Sequence, residues 1–261
     1  MKLPFLILLG IVQGLTEFFP VSSSGHLVLF QNLFGLKEPQ VFTDAMLHFG
    51  TLLSLVVFLR RDLLTLLRSS LDAVTHPRQA SQDPGFKLLV MLAAASVPTF
   101  LIGYFFSNFF ESLFGSLAAV GAALLGTAVF LFLTKRPRKE KPPRLWHALI
   151  IGVLQGAAII PGFSRSGLTI GGGLILGWEK TYSARFSFLL SIPAILGAVV
   201  FQLHRIDPGF QSWGTLIAGA AVAAFIGYFA LRFLTSLTAR GRFYTFAYYC
   251  AAVGVAALII S

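Results

Sequence analysis

Apolar residues along this chain come in stretches about as long as the core of a bilayer is thick, separated by polar breaks. A helix needs about 20 such residues to cross. Six stretches qualify: roughly 41–60, 87–106, 113–134, 183–202, 213–233 and 243–260. The long polar breaks fall at 61–86, 135–145 and 235–242. Two further apolar regions, 3–36 and 146–180, are each cut near the middle by Pro, Gly and Ser, and their halves are too short to span. The pattern predicts an all-α polytopic membrane protein with six transmembrane helices and two broken, re-entrant helix pairs. Irregular backbone at membrane depth is tolerated only where protein or water satisfies its polar groups. The two breaks are therefore expected to meet at a central, partly wet cavity.

The two broken regions also match each other. GIVQGLTEFFPVSSSG (Gly10 to Gly25) lies against GVLQGAAIIPGFSRSG (Gly152 to Gly167) without a gap. Gly10/Gly152, Gln13/Gln155, Gly14/Gly156, Ser22/Ser164, Ser24/Ser166 and Gly25/Gly167 coincide. Residues 1–261 thus read as a single membrane domain of two repeats. The first covers about 1–134, with its re-entrant pair at 3–36; the second covers about 146–261, with its pair at 146–180. Three spans separate the pairs, so they are expected to enter from opposite faces, an inverted-topology repeat.

Composition supports the membrane reading: 56% of residues are hydrophobic and 11% charged, against about half and a quarter in soluble domains. Net charge is +10. Nucleic acid is not the implied partner, because the basic residues flank apolar spans, as the positive-inside rule requires. In the re-entrant topology one face gathers Arg60, Arg61, Arg68, Arg78, Lys87, Lys135, Arg136, Arg138, Lys139, Lys141, Arg144, Lys180, Arg185, Arg232, Arg240 and Arg242. Only Lys2, Lys37 and Arg205 fall opposite, and Arg165 lies inside the second break. Fully spanning pairs would move the 235–242 cluster to the other face. The re-entrant topology fits the charges better and puts both termini outside. Lys2 and the apolar run after it have the shape of a signal peptide. No small-residue cleavage site follows and a similar stretch recurs mid-chain, so Met1 onward is expected to be retained. The single Cys250 excludes a disulfide framework and reads as a small buried apolar residue.

The breaks carry the reactive side chains. After Pro20, Ser22, Ser23 and Ser24 precede a restarting helix whose first turn offers unsatisfied N–H groups and partial positive charge, an anion site. The second break repeats the plan with Ser164, Arg165, Ser166 and Thr169. An arginine within a membrane costs about 2.5–3.5 kcal/mol on insertion scales and needs an anionic partner. Its fork suits phosphate or carboxylate; a purely structural reading pairs it with Glu17. Gln13 and Glu17 share a helix face, and a carboxylate there holds a divalent cation or acts as acid or base. His26 sits one turn after the serines, where it is expected to reach a hydroxyl. Asp44 and His48, four apart in the first full span, are expected to line the cavity or support the site. His76, His147 and His204 lie in or near loops and are expected to be inert. Cation ligand, nucleophile, base and charge clamp together are the parts for phosphoryl transfer. A polyprenyl-phosphate flippase would need Arg165 and the helix N-termini, but not Glu17 beside Ser23 and His26. A structural or channel protein would need neither break so furnished.

Together, QGLTEFFPVSSSGH and PGFSRSGLT resemble the two signature motifs of the undecaprenyl-pyrophosphate phosphatase family, the bacitracin-resistance membrane proteins, and the resemblance covers essentially the whole chain. It implies removal of the terminal phosphate of undecaprenyl pyrophosphate, supplying undecaprenyl phosphate for the cell wall. It further implies a divalent cation, magnesium or calcium, held by Glu17 and Gln13. Catalytic roles fall on Glu17, Ser23, His26 and Arg165, and pyrophosphate contacts on Ser22, Ser24, Ser164, Arg165, Ser166 and Thr169. Some members carry Glu where this chain has Gln13, which leaves Glu17 as the main anionic ligand. Serine and water both stay open as nucleophile. The implied location is a bacterial inner membrane with the site opening to the outer face. The implied partners are the lipid substrate and membrane lipids, and a homodimer is compatible with the resemblance.

Overall fold

The computed structural model describes residues 3–35, 41–113, 115–136, 138–203 and 213–261, whose regular elements are all helices, with no strand among them. Lys2, Lys37, His204 and Arg205 lie outside the described residues. The elements are α1 (Leu3–Thr16), α2 (Ser23–Leu33), α3 (Val41–Phe58), α4 (Arg60–Thr75), α5 (Pro77–Ala80), α6 (Pro84–Phe105), α7 (Ser107–Leu113) and α8 (Leu117–Leu133). Then follow α9 (Leu145–Ala157), α10 (Arg165–Ile175), α11 (Lys180–Leu203), α12 (Trp213–Ala239), a 3-10 turn at Phe243–Thr245, and α13 (Phe246–Ile259).

Among the described residues α6, α11 and α12 are long and apolar enough to cross a bilayer. The predicted spans 87–106, 183–202 and 213–233 fall on them. The span at 41–60 is α3, which meets the same test only together with α4, across a 75° bend. The spans at 113–134 and 243–260 correspond to the shorter apolar helices α8 and, with its 3-10 turn, α13.

The stretch at 61–86 departs from the expected polar break. Most of it is helical, as α4 and α5. Leu63, Leu66 and Ser69 recur at helical spacing, which gives α4 one face to bury; Leu66 and Ser69 are buried while Leu64, Leu67 and Leu71 stay exposed. Arg185 on α11 bonds Asp62 at 2.5 Å and ties α4 beneath the longer helix. Asp83 then caps α6 by accepting the Phe86 N–H at 2.9 Å.

Each broken region folds back as a hairpin. At the open end of the first, Phe5 of α1 meets Phe34 after α2, ring centroids 4.8 Å apart. At the open end of the second, Trp178 donates to Nδ1 of His147 at 2.8 Å and the Lys141 N–H donates to the Gly177 carbonyl at 2.7 Å. His147 is thus a buried structural residue, as expected of it. The tips of the hairpins touch. The Gly162 N–H donates to Ser22 Oγ at 3.0 Å, and Ser164 Oγ reaches the Phe19 carbonyl at 3.5 Å. Thr127 of α8 braces the second tip, donating to the Gly162 carbonyl and accepting the Ser164 N–H, both at 3.1 Å. Cys250 is buried against the first, 3.2 Å from the Pro20 carbonyl.

Close backbone packing holds the hairpins in place. α1 runs along α12, and α9 along α6. A Cβ on Gly10 would come 2.5 Å from the Gly219 carbonyl oxygen, and one on Gly152 only 2.1 Å from that of Ala95. These glycines are what let helix backbones touch, since no larger residue fits the contact. The expected consequence is asymmetric: Gly152→Ala, in contact, destabilises the fold by about 1–3 kcal/mol, whereas Gly197→Ala, with open space around it, leaves stability within about 0.5 kcal/mol. Thermal unfolding of both variants in detergent checks it.

Candidate active site

α1 ends just before Pro20, and the Glu17 N–H makes a helical bond to the Gln13 carbonyl at 2.9 Å. Glu17 therefore hangs at the hairpin tip, one turn beyond Gln13. The chain then turns sharply: Ser22 has φ 67°, in the left-handed region, where a non-glycine residue carries strain. Two bonds hold it there. Its Oγ accepts the Gly25 N–H at 3.2 Å, capping α2, and the Gly162 N–H from the facing tip. Ser164 repeats the cap on α10, accepting the Gly167 N–H at 3.1 Å. In both, the second serine stands by the first: Ser22 and Ser24 Oγ atoms are 3.4 Å apart, Ser164 and Ser166 3.3 Å.

The caps make Ser23 and Arg165 the first residues of their helices, at matching positions of the two breaks. Both reach the same carboxylate. Ser23 donates to Glu17 Oε2 at 2.6 Å and Arg165 Nη1 donates to Glu17 Oε1 at 3.1 Å. Gln13 Nε2 donates to Oε2 at 2.9 Å, and His48 Nδ1 lies 3.0 Å from the same oxygen. The Glu17 side chain is only 2% exposed. A buried carboxylate survives only with such partners. Arg165 is 27% exposed and opens on a cavity lined by Glu17, Ser166, Ser187 and Ser191 over Phe18 and Phe188. The ion pair is the one the purely structural reading expected; the guanidinium is also part-exposed to the adjoining cavity.

Other predicted residues are placed differently. His26 does not bond a serine hydroxyl. Its Nδ1 bonds the Ser22 carbonyl one turn back at 2.8 Å, and its Nε2 meets the Tyr249 hydroxyl at 2.8 Å. The rings stack at 5.6 Å and 9°. The helix satisfies one nitrogen and α13 the other, and the Ser23 hydroxyl is bonded to Glu17 instead. Thr169 sits a turn below the tip, bonded to the Arg165 carbonyl at 2.8 Å and to Ser187 at 2.5 Å, where it braces α10. Asp44 accepts from Gln31 at 2.7 Å. His48, expected as support, touches Glu17 and Gln13 directly.

Sequence reasoning missed Ser187, Ser191 and Tyr249. Ser183, Ser187 and Ser191 recur every fourth residue along α11 and are all buried, a polar stripe at helical spacing that was there to be seen. Nothing in the sequence joined Tyr249 to His26 across 223 positions.

Gln13 has a feature that bears on a cation. It is fully buried, yet its Oε1 has no hydrogen-bond partner. No bond to Oε1 therefore fixes which way round the amide lies, and with its oxygen turned toward Glu17 the pair would fit an oxygen-ligated divalent ion.

Comparison with known proteins places the chain in a family. The chain matches the family model described as bacitracin resistance protein BacA over residues 6–256. It is 40% identical over 262 residues to a protein of Halothermothrix orenii named undecaprenyl-diphosphatase, covering 98% of this chain and 96% of that one. A protein of the same name from Desulfosudis oleivorans is 41% identical over 263 residues, covering 95% and 94%. Another, from Korarchaeum cryptofilum, is 39% identical over 261 residues, covering 99% of each. Matched by the family model over nearly its whole length, and about 40% identical to relatives of matching length, this chain belongs to the BacA family of bacitracin resistance proteins.

Proposed function

We propose that this protein is an undecaprenyl-diphosphatase: it hydrolyses the terminal phosphate of undecaprenyl pyrophosphate, releasing undecaprenyl phosphate and inorganic phosphate. This recycles the lipid carrier of cell-wall synthesis and confers bacitracin resistance. The observation that carries the reading is the shared carboxylate: a serine hydroxyl and a guanidinium from two separate hairpins converge on Glu17 beside a polar cavity. The names of the relatives support it.

The residues divide the work as follows. The pyrophosphate lies at the hairpin tips, with its prenyl tail left among lipid; each buried CH₂ is worth about 0.8 kcal/mol, so the tail needs little protein. Arg165, the hydroxyls of Ser24 and Ser166 and the first turns of α2 and α10 receive the phosphate oxygens. Ser22 and Ser164 hold the tips. Ser23 Oγ attacks the terminal phosphorus as its proton passes to Glu17 Oε2, and the bond to the bridging oxygen breaks. Undecaprenyl phosphate leaves. Water then cleaves the phosphoserine, releasing inorganic phosphate, and Glu17 returns the proton to Ser23. Gln13 and Glu17 would hold a magnesium or calcium ion, which supplies charge neutralisation at the transferring phosphate. His26, fixed by Ser22 and Tyr249, keeps the first turn of α2 in place.

The membrane arrangement we infer has six spans and an inverted repeat, with the first hairpin entering from outside and the second from the cytoplasm. Supporting it, the hairpins meet at their tips, and α1 packs on α12 as α9 packs on α6. The cytoplasmic face is the one bearing the basic run at 135–144, and the location is the bacterial cytoplasmic membrane.

Two outcomes are expected. Purified protein in detergent releases inorganic phosphate from undecaprenyl pyrophosphate, EDTA stops it, and Arg165→Ala or Glu17→Ala slows it at least about 10²–10³-fold, the usual cost of losing a charge stabiliser; acid quench traps phosphate on Ser23. Absence of release by folded protein that still binds the headgroup would point instead to a flippase. Second, with the buried Cys250 replaced by alanine, an impermeant maleimide labels Ser261→Cys from outside intact cells and Lys139→Cys only in inverted vesicles.

A further inference from the structure

The contacts between Gln13, Glu17 and His48 form a triangle. Gln13 Nε2 is 2.9 Å from Glu17 Oε2 and 2.8 Å from His48 Nδ1, and His48 Nδ1 is 3.0 Å from Glu17 Oε2. No placement of protons satisfies all three edges. If Nδ1 is bare, it accepts from Gln13 but sets its lone pair against the carboxylate. If Nδ1 carries a proton, it donates to Glu17 but faces the Gln13 amide N–H. In either case Gln13 Oε1 stays buried without a partner.

Turning the Gln13 amide over exchanges its oxygen and nitrogen at the same positions, an exchange the shape of the group permits. Three acceptors then converge: the Gln13 amide oxygen, Glu17 Oε2 and bare His48 Nδ1. Bare acceptors repel unless something positive sits among them. Edges of 2.8–3.0 Å are also what neighbouring donors show around a small octahedral ion with bonds of roughly 2.1 Å.

We propose that His48 is the third protein ligand of the divalent cation, binding through Nδ1 beside Glu17 and Gln13. This rests on the cation dependence in the proposed function and deepens it. His48 comes from α3, a different element from the hairpin that carries the other two, so the site locks α1 to α3. Its side chain is 19% exposed, the least buried of the three. One nitrogen among oxygen ligands makes the site less suited to calcium, and manganese, which takes the same oxygen ligands as magnesium, serves as its paramagnetic probe.

The probe is Mn2+ itself, added to the purified full-length protein and followed by electron paramagnetic resonance. Continuous-wave titration reads affinity, and pulsed electron spin-echo modulation reads directly coordinated nitrogen. The expected result is one bound Mn2+ per chain with imidazole nitrogen modulation, changed in the isotope-specific way when the protein is made with 15N-histidine. In His48→Gln the modulation disappears and Mn2+ binds at least about tenfold more weakly. The labelled wild type requires no variant to fold. Bound Mn2+ without nitrogen modulation, modulation that persists in His48→Gln, or no Mn2+ binding at all would each overturn the proposal. Phosphate release by wild type with and without EDTA is scored on the same preparation. EDTA-sensitive release alongside any of those three results removes His48 as a ligand and leaves the phosphatase standing.

Discussion

One buried carboxylate organises this molecule. Glu17 is nearly sealed from solvent, and an ionised carboxylate in such a place is tenable only if hydrogen bonds and opposite charge replace the water it has lost. Ser23, Gln13, His48 and Arg165 supply that replacement from four different helical segments. Removing any one leaves the charge under-compensated, so the site and the fold around it are coupled. In the proposed reaction two of its hydrogen-bond partners, Ser23 and Arg165, are also the groups that meet the transferring phosphate.

Bringing those partners together demands the unusual backbone of the two breaks. A continuous helix would carry Ser23 and Arg165 away from Glu17; only a chain that stops, turns and restarts places a helix N-terminus beside its own preceding carboxylate. The turned backbone must then be satisfied without bulk water, and it is satisfied reciprocally. Ser22 serves Gly162, Ser164 serves Phe19, and Thr127 serves the second tip. Strain at Ser22, the sole non-glycine residue with positive φ among those described, sits at the centre of this arrangement. Strained backbone held by surrounding bonds at a reactive centre is a familiar form of preorganisation.

Much of this was legible from the residues. Pro20 and Pro161 with their flanking Gly and Ser marked both breaks, and the matched serines foretold a side-chain cap on each restarting helix, though the backbone at Ser22 is left-handed and that at Ser164 extended. Arg165 required an anion, and the nearest intramembrane candidate was Glu17. What escaped notice involves residues whose partners lie on distant helices. His26 carries no local mark that it would turn to Tyr249 rather than to its neighbouring serines. Asp44 and His48 looked alike on one helix face, yet only His48 lies at the level of Glu17. The amphipathic α4 was hidden by arginines that made 61–86 look polar throughout; the leucine spacing within it carried the opposite message. The apolar helices α8 and α13 are shorter than their hydropathy suggested, because turns at Ser116 and Arg242 trim them.

The central claim is that Glu17 and Arg165, from opposite hairpins, act as one unit. A double-mutant cycle on phosphate release tests it most directly, comparing wild type, Glu17→Gln, Arg165→Gln and the double variant under identical cation and lipid concentrations. Residues that function as a unit are strongly non-additive. The account predicts that the double variant is no slower than the more damaged single variant. Losses that multiply would show two independent contributions and contradict it.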